Sequence, residues 1–371
     1  MDFRVLSAIE QLSKNHDLVP TAMIPRIANI KASGARGAIA TLHKHKLVYH
    51  ESKAYDGYRL TYAGYDFLAL KALNKSEQLA SVAAARIGCG KESDIFTGQT
   101  PAGDTVIVKV HRLGRTSFRS VKINRDYHEH RKHASWLYLS RLAALKEYAF
   151  MKVLYDAGFP CPRPIYVNRH MVVMELVDAQ PLGKVKQLPD AGATYAACIE
   201  LILRLAAHGL IHCDFNEFNL LMDADQNLIV IDFPQVVSVD HLNAEYYFDR
   251  DVECIHSFFK KRHRFDGEKP SFKHDVQRVG EGLDVAARAS GFDASKNEEL
   301  VQFFSSLPVE EPGARDVEAQ ADSDDEDDAD DDDADNDDEV DDDDDDDGGG
   351  DDGGGDDDGD VGATVSGGDD V

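Results

Sequence analysis

The apolar residues of the first 75 positions recur at the spacing of amphipathic helices. One face of a first helix would be formed by Phe3, Leu6, Ile9 and Leu12. A second helix is expected to start at residues 19–21, where proline suits an early helical position, and a third spans about residues 33–45. A short hairpin at residues 47–60 and a fourth helix from residue 61 follow. This order predicts a winged helix-turn-helix domain over residues 1–75.

The third helix of this domain would present basic side chains to solvent, while Ile39 and Leu42 face inward. The basic residues are Lys31, Arg36, Lys44 and Lys46. In a winged helix the third helix usually meets nucleic acid. Many winged helices instead make protein contacts, so nucleic-acid binding and protein docking both stay open.

After a boundary near residues 74–77, the pattern changes to β-branched strands and longer helices. The main segments are a glycine-containing turn at residues 86–96, a strand at 106–110, a helix at 136–157 and a buried strand at 171–177. These segments indicate a second, larger domain with a sheet of its own.

The net charge of −29 is unevenly distributed along the 371 residues. Residues 310–371 contain 33 of the 69 acidic residues and a single arginine, so residues 1–309 carry a net charge of +3. Runs of aspartate and glycine cannot bury apolar surface, and we predict a disordered acidic tail over residues 310–371. A solvating role, competition with RNA for basic surface and adaptation to high salt are all compatible with this tail.

The sequence has no apolar run of about 18–20 residues and no signal-peptide pattern. We therefore expect a cytoplasmic protein without a membrane partner. The five cysteines lie far apart and form no C-x-x-C motif. This distribution indicates neither a zinc site nor a disulfide framework.

The most informative stretch is His-Cys-Asp-Phe-Asn-Glu-Phe-Asn at residues 212–219. It supplies Asp214 and Asn219, and a second carboxylate, Asp232, follows beyond a short hydrophobic hairpin. In kinase-like phosphoryl transfer one carboxylate orients the attacking hydroxyl, while an amide and a second carboxylate hold the magnesium ion that bridges the nucleotide phosphates. For Asp214 alone, the alternative is an aspartate that caps a turn. The ordered set favours an ATP-using active site.

Upstream residues supply the remaining parts of such a site. Lys109 follows Ser93 by 16 residues and is either a charge on an edge strand or the lysine that pairs with the α/β-phosphates. Glu147, on the predicted helix, would hold this lysine unless it is a surface glutamate. The backbone of Glu175 and Val177 would meet the adenine edge where the two lobes join, although a plain core strand is the alternative.

The glycine-containing turn is a weak signal by itself, because its third glycine position is taken by Ser93. Glycines allow backbone N–H groups to approach phosphate, and a serine adds a hydroxyl. Its position before Lys109 favours a phosphate-covering turn.

Several strings in this order resemble the RIO atypical kinases. They are G-x-G-K-E-S-D, V-x-V-K-V-H-R-L-G-R-T-S-F-R, M-E-L-V, H-x-D-F-N-E-F-N and I-D-F-P-Q. The winged helix and the string at residues 243–252 point to the type-2, winged-helix-bearing subfamily, and the resemblance covers about residues 1–300. It implies binding of ATP and magnesium (or manganese), serine autophosphorylation, ATP hydrolysis and a role in late maturation of the small ribosomal subunit. It also implies that an aspartyl-phosphate can form on Asp232.

The resemblance also implies roles for individual residues. Lys109 would position the phosphates with Glu147 as its partner, and Asp214 would be the catalytic aspartate. Asn219 and Asp232 would bind the metal ion. The triphosphate would be lined by Gly88, Gly90, Lys91 and Ser93.

Three departures qualify the resemblance to kinases. Cys213 stands where a glycine is expected and would crowd that turn, and Asn216 replaces the lysine of ordinary protein kinases. No A-P-E segment follows Asp232, so a peptide-binding platform of the usual kind is not expected.

The insert at residues 112–132 contains seven basic and only two acidic residues. It is longer than most connections between secondary-structure elements. It is either a solvated loop or a loop that contacts the phosphates of RNA or of the nucleotide. Thr116 and Ser117 are candidate autophosphorylation sites.

We therefore predict an α+β protein with a winged helix, a compact two-lobed kinase-like domain at residues 76–305 and a disordered acidic tail. The N-lobe (76–173) would hold an antiparallel sheet, and the C-lobe (178–305) would be mainly helical. The leading function is a RIO-type serine/threonine kinase and ATPase that acts on pre-ribosomal small-subunit RNA or particles. The alternatives are an RNA-docking scaffold in which nucleotide is structural and a small-molecule phosphotransferase.

Overall fold

The computed structural model describes residues 2–52, 55–90, 92–113, 132–280, 282–289 and 300, with only the helical backbone given for 132–135, 288 and 289. The acidic tail, Lys91, and residues 114–131 of the basic insert with Thr116 and Ser117 lie outside these residues. Within them the predicted α+β architecture is confirmed: a winged helix precedes a five-stranded sheet and a mainly helical lobe.

The winged helix is built from four helices and three short strands. Its elements are α1 (Asp2–Leu12), β1 (Val19–Pro20), α2 (Ile24–Ala28), α3 (Ala32–Lys44), β2 (Val48–Glu51), β3 (Gly57–Leu60) and α4 (Tyr62–Lys75). The strands form one antiparallel sheet in the order β1-β3-β2. Ile39 and Leu42 of α3 are buried in the domain core, whereas all four basic residues predicted on its outer side are exposed.

The predicted start of the second helix was wrong. Val19 and Pro20 adopt an extended conformation and pair with Tyr58 and Gly57, so the segment forms the third strand of the wing. After a short 3₁₀ turn, α2 begins at Ile24. Val19 is fully buried, and tertiary packing therefore overrides the local preference of proline for a helix start.

The N-lobe sheet has five antiparallel strands in the order β4-β5-β6-β8-β7. The strands are β4 (Ser81–Cys89), β5 (Ser93–Gln99), β6 (Thr105–His111), β7 (Pro164–Asn168) and β8 (Met171–Glu175), and α5 (Lys132–Asp156) precedes β7. Side chains of a strand alternate between the two faces. Val106, Val108 and Val110 pack with Ala69 and Leu73 of α4, so the winged helix covers one face of this sheet.

The other face of the sheet meets α5 and the C-lobe. Val172 and Met174 join a core that includes α5 and the C-lobe elements. These elements are β9 (Ala179–Pro181), α6 (Ala191–Ala207), β10 (Leu210–Ile211), β11 (Leu220–Asp223), β12 (Leu228–Val230), β13 (Val237–Ser238), α7 (Ala244–Phe258), α8 (Phe272–Asp275) and α9 (Leu283–Ala289). Residues 107, 109 and 111 of β6 therefore face the space between the lobes.

Substitution of Gly64 by alanine is predicted to destabilise the winged helix. Gly64 lies in the first turn of α4, and an added Cβ would overlap the carbonyl oxygen of Leu47. The backbone oxygen cannot move aside as a side chain can, so we expect Gly64→Ala to lower the free energy of unfolding by about 1–3 kcal/mol. Urea denaturation measures this change.

Gly37 provides a matched control, because it also lies in a helix but an added Cβ meets no atom within 4 Å. Gly37→Ala is expected to raise the free energy of unfolding by about 0.5–1 kcal/mol through helix propensity. Equal effects of the two substitutions would contradict the packing of α4 against residue 47.

Candidate active site

Lys109 lies at the centre of a buried charge cluster between the lobes. Its ammonium group is 2.8 Å from Glu147 Oε1 and 2.7 Å from Asp232 Oδ1. Lys109 is on β6, the central strand of the sheet, so an edge-strand role is wrong. Glu147 lies on α5 and is only 1% exposed, so the surface alternative for this glutamate is also wrong.

The charges of this cluster stabilise each other. Burial alone would lower the pKa of Lys109, but the carboxylates of Asp232 and Glu147 outweigh burial and raise it. Burial favours the neutral form of Glu147, yet the nearby Lys109 and His111 hold its pKa below the usual value. Lys109 is therefore a permanent cation between two carboxylates, a state in which it can also attract phosphate.

His111 is a member of the cluster that the sequence did not reveal. Its Nε2 atom lies 2.7 Å from Glu147 Oε2, in a close contact that does not have hydrogen-bond geometry. The two side chains are both 1% exposed. Alternation along β6 places residue 111 on the same face as Lys109, and this periodicity was the available signal.

The loop at residues 212–219 holds Asp214 with two amides. Asn216 Nδ2 donates to Asp214 Oδ1 at 2.9 Å, and Asn219 Nδ2 donates to Asp214 Oδ2 at 2.8 Å. The side-chain oxygen of Asn216 accepts the backbone N–H of Phe218 at 3.0 Å. Asn216 thus braces the loop, in the position where ordinary kinases have a lysine.

Cys213 is accommodated in this loop although it replaces a glycine. Its φ of 68° lies in the left-handed region that favours glycine, and its side chain is buried. Asp251 of α7 accepts the backbone N–H groups of Cys213 at 2.9 Å and Phe215 at 3.1 Å, and Arg250 donates to the carbonyl of Cys213. These bonds from α7 fix the backbone on both sides of Asp214.

Asp251 is a second site residue without a sequence-based prediction. Burial raises its pKa to about 7, and the two backbone N–H donors and Arg250 oppose this rise only in part. A buried aspartate that accepts backbone N–H groups is a structural anchor, and the sequence shows it only as one acid in an acidic helix.

Asp232 is held in a strained conformation next to the loop. Its φ is 72°, which non-glycine residues rarely adopt. Phe233 is buried and lies 5.5 Å from the ring of His212, whose Nε2 is 3.1 Å from the carbonyl oxygen of Ile231. This contact joins the segment of Asp232 to the loop of Asp214, so both carboxylates are placed by one set of packed rings.

The packing around the turn between β4 and β5 does not require glycine at residues 88 and 90. An added Cβ at Gly88 or Gly90 would meet other atoms only at ordinary contact distances of 3.5–3.6 Å, and neither has a left-handed φ. The fold therefore leaves room over this backbone, as close approach of a phosphate requires. Ser93 is buried on β5 opposite His111, and Gly90 N–H donates to its carbonyl at 2.8 Å.

The segment after β8 offers backbone groups for an adenine edge. The N–H of Glu175 already donates to the carbonyl oxygen of Arg163 at 3.0 Å. An adenine contact at Glu175 would therefore use the carbonyl group of Glu175. The carbonyl of Val177 accepts from Ala179 at 3.0 Å. Within the described residues the N–H of Val177 has no backbone partner, and it remains the candidate donor at this position.

The oxygen atoms near Lys109 fit a magnesium ion that is completed by phosphate. Asn219 uses its nitrogen on Asp214, and Asp232 uses one oxygen on Lys109, so each keeps a carbonyl or carboxylate oxygen. Among the described residues no group of three His, Cys, Asp or Glu side chains could hold a metal ion. Magnesium is commonly bound by one or two carboxylates plus substrate phosphates, which is consistent with this donor set.

The basic insert requires a correction at its first residue. Arg112 was expected to lie in a solvated loop or in a loop that contacts phosphates, but its guanidinium is bound by Asp66 of α4 at 2.7 and 2.6 Å and its side chain is 14% exposed. The prediction failed because sequence periodicity does not show which carboxylate a distant domain brings to a basic residue.

These elements define a kinase-like fold with a Lys–Glu pair, an Asp–Asn loop and a second aspartate. The family model described as RIO domain matches residues 94–272, and the one described as Rio2, N-terminal, matches residues 1–76. The chain belongs to the Rio2 branch of the RIO family. This result confirms the resemblance seen in the sequence.

Curated relatives are named as kinases. The chain is 53% identical over 300 residues to serine/threonine-protein kinase rio2 of Dictyostelium discoideum, with 81% of this chain and 57% of that protein covered. It is 48% identical over 305 residues to serine/threonine-protein kinase rio2 of Schizosaccharomyces pombe, with 81% and 88% covered. The chain spans little more than half the length of the relatives from D. discoideum and Caenorhabditis elegans, at 57% and 55%.

A solved structure is similar over most of the described chain. It is the crystal structure of the Rio2 kinase-ADP/Mg²⁺-phosphoaspartate complex from Chaetomium thermophilum, with a TM-score of 0.74 and 49% identity. The similarity covers 82% of this chain and 94% of that chain. In the described residues no helix is long and apolar enough to cross a membrane.

Lys146, the neighbour of Glu147 on α5, is an unpaired buried amine. It is fully buried, its Nζ atom has no hydrogen-bond partner in the described structure, and Nζ lies 5.9 Å from the ring centre of Phe150. Burial lowers the pKa of Lys146 to about 7, and the nearby Cys213 opposes this only slightly. A charged ammonium is therefore disfavoured behind the loop of Asp214.

Replacement of Lys146 by methionine is predicted to stabilise the protein in a pH-dependent way. Between about pH 7 and the ordinary lysine pKa of 10.5, the unfolded chain holds a proton that the folded chain has lost. The free energy of unfolding of the wild type should therefore rise with pH relative to Lys146→Met, by up to ~1.4 kcal/mol per pH unit. The advantage of the variant should be largest at pH 7 and below, and urea denaturation at pH 7, 8 and 9 measures it.

The exposed Lys152 on the same helix is the control. For Lys152→Met the difference from wild type should stay constant over this pH range. A constant difference for Lys146→Met as well would show that the amine is not held neutral in the fold.

Proposed function

We propose that this chain is an ATP- and magnesium-dependent serine/threonine kinase and ATPase of the RIO type. The observation that carries the proposal is the position of Lys109 between Glu147 and Asp232, at 2.8 and 2.7 Å, next to the loop of Asp214. This arrangement supplies a fixed cation for phosphate and several oxygens that can approach a metal ion. The names of the curated relatives and the ADP and magnesium complex of the C. thermophilum protein support it.

Each residue has a role in the proposed reaction. Lys109 binds the α/β-phosphates, and Glu147 keeps it in place. Asp214, oriented by two amides, directs the attacking hydroxyl or water. Asn219 and Asp232 would hold magnesium, which neutralises charge on the phosphates when bound. Gly88, Gly90, Lys91 and Ser93 would line the triphosphate, with the backbone at Glu175 and Val177 on the adenine.

We further propose that Asp232 can accept the phosphoryl group. Its side chain is 29% exposed, Lys109 contacts only its Oδ1 atom, and the adjacent Lys109 would stabilise charge on an acyl phosphate. In this step a carboxylate oxygen forms the bond to γ-phosphorus as the bond to ADP breaks, and water then releases phosphate. The phosphoaspartate complex of the C. thermophilum Rio2 kinase supports this route.

The biological setting belongs to the same proposal. We propose that the protein acts in the cytoplasm during maturation of the small ribosomal subunit and binds its pre-ribosomal RNA through the winged helix. The four exposed basic side chains on and around α3 support RNA contact. An RNA-docking scaffold with structural nucleotide is the second candidate, and ATP turnover by the wild type distinguishes it from an enzyme. A small-molecule phosphotransferase has no evident use for a winged helix.

Lys109→Met and Asp232→Asn are each predicted to reduce ATP turnover by at least ~10²-fold, because both side chains stabilise charge on the phosphates. Single- and multiple-turnover assays with γ-labelled ATP measure this loss, and Lys152→Met on the exposed side of α5 is the control. Retention of wild-type turnover in Lys109→Met would refute the site assignment. Failure of the wild type to hydrolyse more than one ATP per molecule would favour the scaffold.

Reversal of charge on α3 should weaken RNA binding in a salt-dependent way. Each lost phosphate contact lowers the slope of log affinity against log salt by about 0.7–0.9, so Arg36→Glu with Lys44→Glu should lower it by about 1.4–1.8. A small-subunit ribosomal RNA transcript is the probe. Lys71→Glu with Lys75→Glu, two exposed lysines on α4, is the matched control. Equal effects of the α3 and α4 double substitutions would indicate non-specific electrostatic attraction of RNA and would contradict a specific role of α3 in RNA binding.

A further inference from the structure

Asp66 of the winged helix makes a strong polar contact with the N-lobe. Arg112 donates to both of its carboxylate oxygens, at 2.7 and 2.6 Å, and His170 Nε2 lies 2.7 Å from Oδ1. Asp66 and Arg112 are 24% and 14% exposed, so water screens this pair only weakly. Bidentate arginine–carboxylate pairs fix geometry as well as charge.

Arg112 connects this carboxylate to the phosphate-covering turn. Its backbone N–H donates to the carbonyl of Glu92 at 2.6 Å, and its Nε donates to Asp94 Oδ2 at 3.3 Å. Glu92 and Asp94 lie at the end of the turn that contains Gly90. Arg112 also follows the β6 residue Lys109 by only three positions. One residue, through its side chain and its backbone N–H, therefore links the winged helix, the turn and the strand of the site lysine.

Loss of the charge on Asp66 would leave Arg112 with one carboxylate partner. The guanidinium prefers a bidentate pair, and Asp94 is the carboxylate within reach. A shift of Arg112 toward Asp94 would displace both the side chain and the backbone contact that hold the turn. The expected consequence is a turn that no longer presents its N–H groups to phosphate.

A second polar contact between the same two domains joins Arg169 and Glu10 and does not run through Arg112. Arg169, in the turn between β7 and β8, donates to both oxygens of Glu10 at 2.7 Å and to the carbonyl of Leu68 at 3.3 Å. It attaches the winged helix to the turn that also contains His170, but its bonds go to Glu10 and Leu68 rather than to Arg112 or the turn of Gly90. This contact serves as an internal control for docking of the winged helix.

We propose that Asp66 is a positioning residue of the nucleotide site: through Arg112, docking of the winged helix sets the phosphate-covering turn and with it the affinity for ATP. This inference rests on the proposed function, because it takes that turn as the triphosphate site. Binding couplings are reciprocal, so a partner that alters the Asp66–Arg112 contact would change ATP affinity, and ATP would change the affinity for that partner by the same factor.

The test compares Asp66→Asn with Glu10→Gln in the full chain, since each substitution removes one charge from the same domain interface. Dissociation constants are measured for Mg-ATP and for adenosine, together with thermal stability. Asp66→Asn should weaken Mg-ATP about 5- to 100-fold, a range typical of site coupling, and leave adenosine unchanged. Glu10→Gln should lower stability to a similar extent without changing either affinity by more than about 2-fold.

A second variant covers the case in which Asp66→Asn does not fold. Arg112→Lys keeps the charge but loses bidentate pairing, and it should also weaken Mg-ATP selectively. Equal affinities for Mg-ATP in Asp66→Asn and Glu10→Gln, or a parallel loss for adenosine, would overturn the inference. Failure of the wild type to bind Mg-ATP would instead overturn the proposed function, so the two failures are distinguishable.

Discussion

The ammonium of Lys109 between Glu147 and Asp232 is the interaction on which the rest of the structure depends. It joins the central strand of the N-lobe, the long helix α5 and the segment after β12. A buried cation of this kind is costly unless oxygens surround it, and two carboxylates from different elements meet this requirement. The relative placement of strand, helix and loop is therefore constrained by one charge. The same constraint leaves one oxygen of Asp232 and the amide oxygen of Asn219 outside the bonds to Lys109 and Asp214.

Strain near this charge is balanced by buried hydrogen bonds. Cys213, which precedes Asp214, and the site residue Asp232 both have left-handed backbones. Asp251 and Arg250 hold the first of these residues, while the contact between His212 and Phe233 holds the segment of the second. Strained residues persist only where the surroundings determine them fully, and they concentrate at functional sites. Burial of Lys146 is an unfavourable feature of this arrangement, because its amine lies behind the loop without a hydrogen-bond partner.

Much of the fold and the candidate site could be predicted from the sequence. Periodicity gave α1 and α3 nearly to the residue, while α5 begins at Lys132 rather than at residue 136, and the motif spacing identified Lys109 and Asp232, which the fold brings together. Local sequence patterns gave wrong predictions where contacts with distant residues determine the structure. The strand at Val19 exists because β3 pairs with it, and Arg112 is bound by a carboxylate 46 positions away. Alternation along β6 could have indicated His111, whereas Asp251 is one acid in an acidic helix and has no sequence signature.

The winged helix and the kinase-like lobe are parts of one charge-linked structure. α4 contributes Ala69 and Leu73 to the core on one face of the sheet, while Lys109 faces the space between the lobes on the other. A five-stranded sheet thus separates a candidate RNA-binding domain from a candidate nucleotide site, and β6 with Arg112 runs between them. An apolar interface alone would fix the distance between the two domains. The paired charges add orientation, because a bidentate contact is lost when the helix rotates or slides. Rotation of α4 would therefore act on Arg112, the residue that follows the strand of Lys109.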